Sequence, residues 1–431
     1  MTEVAEICSE LLRIDTTNDG GGDGPGERRA AEYVAGLLDE VGIEPHVFES
    51  APGRTSLVAR VPGDDPDGLL VHGHLDVVPA DPAEWRVHPF SGEIADGCVH
   101  GRGAVDMKGT LSMTLAWARE NARRGARPRR DLVLAFLADE EATGAYGAGH
   151  AIERHRDLFE GCTEAISESG GFTWHEGDVR IYPVAVGERG TAWMRLTARG
   201  VAGHGSKPAV DNPVAEIARA VARLADHRWP VRLTPEVARL IDELSRALGT
   251  PIDVDRLEEE IRRVPRAAAL FRGVLRDSAN PTMLNAGYKV NVIPGTAEAH
   301  VDGRFLPGQR DEFLETVDRL LGPKVTREFV SFEEAVSSPA EGLFDDLTAA
   351  LLAEDPGGRP VPYVMTGGTD AKWFARIGIR GYGFAPLFLP PDLDYFGMFH
   401  GVDERVPVEG LEFGVRVLDR LLSGESTDST M

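Results

Sequence analysis

Residues 69–79, LLVHGHLDVVP, and residues 132–144, LVLAFLADEEATG, decide the fold of this chain. Each is a short apolar run that gives way to a polar turn. In the second, Leu132–Leu137 is apolar without alternation, which marks a strand covered on both faces. Other short apolar runs, Val47–Phe48 and Leu57–Val61, alternate with helical patterns at 2–14, at 27–42 and from Lys108 onward. Strands alternating with helices imply an α/β fold, a mixed and mostly parallel sheet covered by helices. Ligands of such sheets collect at the carboxyl ends of the strands. His74, Asp76, Glu140 and Glu141 fall there.

Outward from these runs the rhythm changes between 188 and 335. The order there is strand Thr191–Thr197, helix Pro213–Asp226, strands Ala286–Val292 and Ala297–Arg304 joined by the turn IPGT, a helix at 310–321 and strand Val325–Val330. That order describes an α+β open-faced sandwich set into the larger domain. A chain of 431 residues is long for a single core. Two domains are therefore expected, 1–187 plus 336–431 and the inserted 188–335. Within the insert, 228–280 is charged, helical and punctuated by Pro230, Pro235, Pro251 and Pro265, and reads as extra helical packing. A last helix spans Glu409–Leu422, and GESTDSTM, 424–431, reads as a frayed tail.

The balance of 46 basic against 70 acidic residues, a net charge of −24, repels phosphate backbones and anionic bilayers and argues against a nucleic-acid partner. No apolar run approaches a membrane span, and the first residues carry no basic leader. Three scattered cysteines, Cys8, Cys98 and Cys162, show no paired spacing, so a reducing, cytoplasmic setting is expected.

Five metal-capable side chains, His74, Asp106, Glu141, Glu168 and His400, each end an apolar run or sit in a Gly-rich turn. Two histidines and three carboxylates suffice for two tetrahedral zinc ions that share one carboxylate. His74 and Asp76 are two residues apart and face the same way in an extended chain, so that Asp76 can accept the second ring N–H of a metal-bound histidine. A histidine after a strand is more often structural; Gly73 and the polar turn weigh against that here. His72 shares the parity of His74 and reads as packing. In GRGAVDMKG, 101–109, two glycines permit a tight approach before Asp106, which by itself could equally be a helix cap. Glu140 and Glu141 can divide the work in a turn, one on metal and one as a base beside it. A solvated acidic turn is the alternative.

The ordered set HLD, GRGAVDMKG, DEE, ESGG (168–171) and HGVDERV (400–406) resembles the M20 metallopeptidases, the aminoacylase and carboxypeptidase group of dinuclear zinc enzymes, over essentially the whole chain. The resemblance implies one zinc on His74, Asp106 and Glu168 and a second on Asp106, Glu141 and His400. Asp106 would bridge, and cobalt or manganese could replace zinc. It implies Glu140 as the catalytic base and Asp76 as the residue that orients His74. VAGHGSKP, 201–208, places His204 on a histidine that reaches the partner's active site, which implies a homodimer built through the inserted domain. Arg304 in VDGRFLPG would hold the substrate's carboxylate, and Asn291 in VNVIPG would also bind substrate. Gly368 and Thr369 in TGGTDA would line the pocket, with Thr369 hydrogen-bonding substrate. Two positions depart from the family pattern: His100 stands where an aromatic often precedes GRG, and His88 replaces an acidic residue. The implied reaction is hydrolysis of an amide in an N-acyl amino acid or a peptide with a free carboxylate. Glutamate at 168 tilts it toward deacylase or carboxypeptidase chemistry. A dipeptidase, a non-catalytic binding protein on the same fold and a phosphate-ester hydrolase are the competing readings.

Overall fold

The structure is a computed structural model that describes residues 2–22 and 24–423. The tail 424–431, expected to fray, lies outside the described residues. A ten-stranded sheet forms the larger layer. Its path runs Pro45–Ala51, Arg54–Val61, Arg130–Leu137, Asp65–His74, Cys162–Ser167, Arg380–Gly383, Val179–Glu188 and Val336–Ser337. Arg359–Met365 and Trp174–Glu176 also pair with Val179–Glu188. The centre is parallel: Asp65–His74 lies between Arg130–Leu137 and Cys162–Ser167 in that sense.

The unbroken apolar run is explained by cover on both faces. Leu132, Leu134 and Phe136 pack with helices Glu3–Arg13, Arg28–Asp39, Lys108–Arg123, Leu343–Glu354 and Val408–Leu422, while Val133, Ala135 and Leu137 point to the opposite core with Ala151, Phe159 and Phe374. Gly73 lets Lys108–Arg123 approach the sheet, because a Cβ there would lie 2.3 Å from Met107 Cε and 2.7 Å from Leu111 Cδ2.

A second, four-stranded antiparallel sheet has the order Ser278–Ala286, Thr296–Phe305, Gly190–Arg199 and Val325–Glu333. Helices Pro213–Asp226 and Arg310–Leu321 cover one face, onto which Ala297, Ala299, Val301 and Phe305 project at alternate positions. The other face carries Trp193, Arg195 and Arg304. The strand expected at Ala286–Val292 is displaced: it occupies Ser278–Ala286, and 287–291 is a turn before the short pairing of Val292–Ile293 with Gly203–His204. Tyr288 and Val290, whose apolarity suggested a strand, are exposed there, whereas the true strand is a polar sheet edge with little inward alternation.

The segment 228–280 folds as helices Pro235–Leu248, Leu257–Arg263 and Pro265–Arg272. Pro235 and Pro265 occupy first-turn positions, where a missing N–H costs nothing. Val237, Leu240 and Leu244 pack with Ala267, Leu270 and Phe271 onto Ile181, Val361 and Val364, so the helices extend the cover of the large sheet. Among the described residues, no helix is long and apolar enough to cross a membrane.

Candidate metal centre and active site

Three adjacent parallel strands deliver three of the expected side chains at their carboxyl ends. His74 closes Asp65–His74, Glu141 follows Arg130–Leu137, and Glu168 follows Cys162–Ser167. Asp106 comes from the turn before Lys108–Arg123 and His400 from the loop before Arg405–Pro407. The backbone is strained around them. Among the described residues, five non-glycine residues have φ between 50° and 70°, and three of these are Asp139, Ser169 and His400, beside or within the cluster. Strain of this kind persists only where surrounding contacts over-determine it.

The side chains form two sets of three potential ligands that share one member. His74, Asp106 and Glu168 make one, and Asp106, Glu141 and His400 the other, with the ligand atoms of each set within 4.8 Å of one another. Asp106 lies between the two histidines, Oδ1 at 3.0 Å from His74 Nε2 and Oδ2 at 3.3 Å from His400 Nε2. Glu141 is 3.0 Å from His400 Nε2, and Glu168 is 3.7 Å from His74 Nε2. Glu140 stands 4.0 Å from His74 Nε2 and belongs to neither set.

The electrostatics suit divalent cations. Burial and the charge of Asp106 push Glu168 up to about 8, and burial with the charge of Glu168 raises Glu140 well above the usual carboxylate range. Hydrogen bonds to Asp106 and Glu141 push His400 up to about 10. Glu141 Oε1 is buried with no hydrogen-bond partner, while Oε2 faces His400. So many carboxylates around two imidazoles fit two nitrogen- and oxygen-ligated dications. Stripping divalent ions with a chelator is therefore expected to lower the unfolding midpoint, since each ion held at a hundred times its dissociation constant contributes about 2.7 kcal/mol. A midpoint indifferent to chelator and to added zinc would refute this.

The supports of the cluster sharpen several expectations. His74 Nδ1 lies 2.9 Å from the main-chain carbonyl of Asp76, closer than the 3.5 Å to its carboxylate. A carbonyl only accepts, so Nδ1 carries a proton and Nε2 is the ring atom turned to the cluster. The Asp76 carboxylate meanwhile accepts from the backbone N–H groups of Glu140 (3.2 Å) and Glu141 (3.1 Å) and so holds the turn that aims both glutamates. His72 packs on Phe374, and burial pushes it down to about 3, so it is a neutral core residue.

Two supports escape a reading of the sequence. Asn18 donates to Asp76 at 2.8 Å and accepts from Arg54 at 2.7 Å, and Arg54 pairs with the fully buried Glu27 at 2.5 Å. The other is Glu404. Its carboxylate accepts from the N–H groups of Gly103 (3.0 Å), Val105 (2.6 Å) and Asp106 (3.0 Å) and from Arg102 (2.8 Å). Glutamate four residues after a histidine gives no local signal of this.

The residues expected to meet substrate belong to neither ligand set. His204 is exposed on the short strand Gly203–His204, and its Nδ1 is 2.8 Å from Ser206 Oγ. Asn291 is exposed in the turn that pairs with Gly205. Arg304 bonds to Asp302 at 2.7 Å and to Thr191 at 2.9 Å, which leaves some of its five donors free. Gly368 is exposed between Glu188 and Glu333. Thr369 is not poised for substrate: it is buried, and its hydroxyl and N–H both donate to Glu188. His88 and His100 take no part in either ligand set.

Comparison with known proteins identifies the family and the fold. Residues 70–424 match the model of the family described as peptidase family M20/M25/M40. N-fatty-acyl-amino acid synthase/hydrolase PM20D1 of Xenopus tropicalis is 29% identical over 93% of this chain and 81% of its own length. Aminoacylase-1 of Sus scrofa is 28% identical over 97% of this chain and 94% of its own. In fold, the chain is like the M20 family metallo-carboxypeptidase Sso-CP2 from Sulfolobus solfataricus, with a TM-score of 0.71, 20% identity and 98% of both chains covered.

Proposed function

Because the chain belongs to peptidase family M20/M25/M40 and is a metal-dependent amidohydrolase, we propose that it hydrolyses the amide of an N-acyl amino acid or of a peptide with a free carboxylate, using two zinc ions. The observation that carries this is Asp106 shared between two ligand sets, with Glu140 4.0 Å from His74 Nε2 and within neither set. His74, Asp106 and Glu168 would hold one ion and Asp106, Glu141 and His400 the other. When bound, two such ions acidify water and polarise a carbonyl. Glu140 takes the proton of the attacking water and passes it to the leaving amine, for which a carboxylate within reach of the ions but not bound to them is suited. Asp76 keeps Glu140 and His74 aimed. Arg304 meets the substrate's carboxylate with its planar pair of donors, in competition with Asp302. Asn291 and Gly368 flank the substrate. The relatives named for N-acyl amino acids favour a deacylase over a carboxypeptidase.

We assign 1–187 plus 336–431 to catalysis and the inserted 188–335 to a lid through which two copies pair, with the helices of 228–280 being the part of the insert that packs on the larger sheet. Exposed apolar residues on the lid, Val201, Val210, Met283, Leu284, Tyr288 and Val290, need cover, and a second copy would provide it. His204, exposed among them, would then complete the partner's site by stabilising the developing oxyanion. All three cysteines are free thiols, in keeping with a reducing compartment.

A screen of N-acyl amino acids and dipeptides with zinc or cobalt supplied tests the reaction; turnover of phosphate esters alone would defeat it. Catalysis across subunits is tested by mixing His204→Ala with Glu140→Ala, each inactive alone. About a quarter of wild-type sites should reappear for random pairing. No recovery in a preparation shown to contain mixed dimers would count against the arrangement.

A further inference from the structure

The chain that leaves Glu168 and the chain that arrives at His400 enclose more than the metal-capable side chains. Beyond Gly170 and Gly171 the first forms Phe172–His175, and before His400 the second forms Pro391–Phe396. Between them lies a cavity of about 330 Å³, at the lower end of the range for small-molecule sites. Four aromatic rings line it, beside the polar side chains of Thr173, His175, Arg266, Asp392 and Asp394. Phe172 faces Tyr395 at 5.0 Å, and Trp174 meets Phe396 edge-on at 5.4 Å. Phe399, next to His400 in the chain, touches both Tyr395 (5.7 Å) and Phe396 (5.6 Å), so the aromatic wall packs on the segment that presents a candidate ligand. Tyr395 is buried within the field of Asp106 and Glu168, which helps to raise its phenol well above its usual range. Phe396 is nonetheless 48% exposed, an apolar surface left open beside a reactive site.

The helical insertion closes the far side. Trp174 Nε1 donates to the Arg266 carbonyl at 3.0 Å, Arg266 Nη1 donates to the Pro391 carbonyl at 3.0 Å, and Ala267 N–H donates to Glu176 at 2.6 Å. The helix Pro265–Arg272 thus ties both walls together. This gives 228–280 a role beyond covering the sheet. The charged and ionisable groups of the lining are mixed in kind, Arg266 and His175 against Asp392 and Asp394. That lining offers no concentrated positive charge for a second carboxylate.

We propose that this cavity is the acyl subsite, and that the substrates are N-acyl amino acids whose acyl group is large and apolar, a medium-length alkanoyl or an arylacyl, rather than acetyl or an acidic acyl such as succinyl. The proposal rests on the deacylase reading above. There the amino acid's carboxylate goes to Arg304 on the four-stranded sheet. The acyl arm is then assigned to the cavity between the loops that carry Glu168 and His400.

The test measures kcat/KM of the metal-loaded full chain on one amino acid bearing acetyl, butanoyl, hexanoyl, octanoyl, decanoyl, phenylacetyl or succinyl groups. The value is expected to climb by up to about fourfold per added methylene before it levels off, the ratio corresponding to about 0.8 kcal/mol for each methylene buried. Phenylacetyl should rank with the medium alkanoyls, and succinyl should fall below butanoyl. In Phe396→Asp the octanoyl-to-acetyl ratio should drop at least tenfold, and in Phe396→Leu it should stay within about threefold of wild type. A flat acyl profile, or an unchanged ratio in Phe396→Asp, overturns the subsite and leaves amide hydrolysis standing. Failure to cleave any of the series while dipeptides are cleaved overturns the deacylase reading and the subsite with it.

Discussion

Glu140→Gln is expected to keep the fold and both ions and to lose turnover, with kcat lower by roughly a hundred- to ten-thousand-fold, the range that a positioned general base supplies. The variant changes one oxygen of a side chain that is in neither ligand set, so metal content by elemental analysis should match wild type. The main-chain bond from residue 140 to Asp76 is indifferent to the side chain, so the turn should hold its shape. Gln fills the same space but accepts no proton. The neighbouring substitution, Glu141→Gln, should behave differently. Glu141 sits 3.0 Å from His400 Nε2 within the second set, so losing its charge should empty that site and cost activity through metal. Two adjacent glutamates then separate by experiment, one variant inactive and loaded, the other inactive and depleted. Normal hydrolysis by Glu140→Gln would remove the base assignment, and depletion in both variants would return Glu140 to the ligands.

How far the sequence reaches follows from the range of each interaction. Leu132–Leu137 is legible because cover on both faces leaves a local trace, an apolar run with no alternation. The strand that ends at His74 is legible for the same reason, and position at a strand end carries the chemistry with it. Cys162–Ser167, CTEAIS, leaves only a short apolar stretch before Glu168. The edge strand Ser278–Ala286 is not legible, because its side chains face water and alternate weakly, and the exposed Tyr288 and Val290 beyond it mislead. Thr369 is misread because a hydroxyl in a Gly-rich loop looks free until Glu188, 181 residues away, is seen to hold it. Asn18, Arg54 and Glu27 lie outside every motif, yet they brace Asp76 from behind. Supporting residues of this kind act through tertiary contacts that leave no spacing in the chain.

Glu404 is the support whose removal should cost most. Its side chain is fully buried and joins the His400 loop to the turn that carries Asp106. One oxygen takes Val105 and Asp106 N–H, the other takes Gly103 N–H and the Arg102 guanidinium. Glu404→Ala leaves three buried N–H donors and a buried cation unpaired. Breaking such a pair from one side costs about 3–5 kcal/mol, a large part of the roughly 5–15 kcal/mol that holds a domain folded. Arg102 also stacks over Trp85 and reaches the His400 carbonyl, so the loss should spread to the loop that presents His400. Glu404→Gln isolates the second consequence. It keeps the volume but turns an amide donor toward N–H donors, and the turn before Asp106 must rotate to relieve the clash. Because Asp106 belongs to both ligand sets, one displaced carboxylate should weaken both ions together. Denaturant unfolding of Glu404→Ala and metal titration of Glu404→Gln measure the two effects. Stability within 1 kcal/mol of wild type in the first, or wild-type affinity for both ions in the second, would show that the turn around Asp106 holds its shape without Glu404.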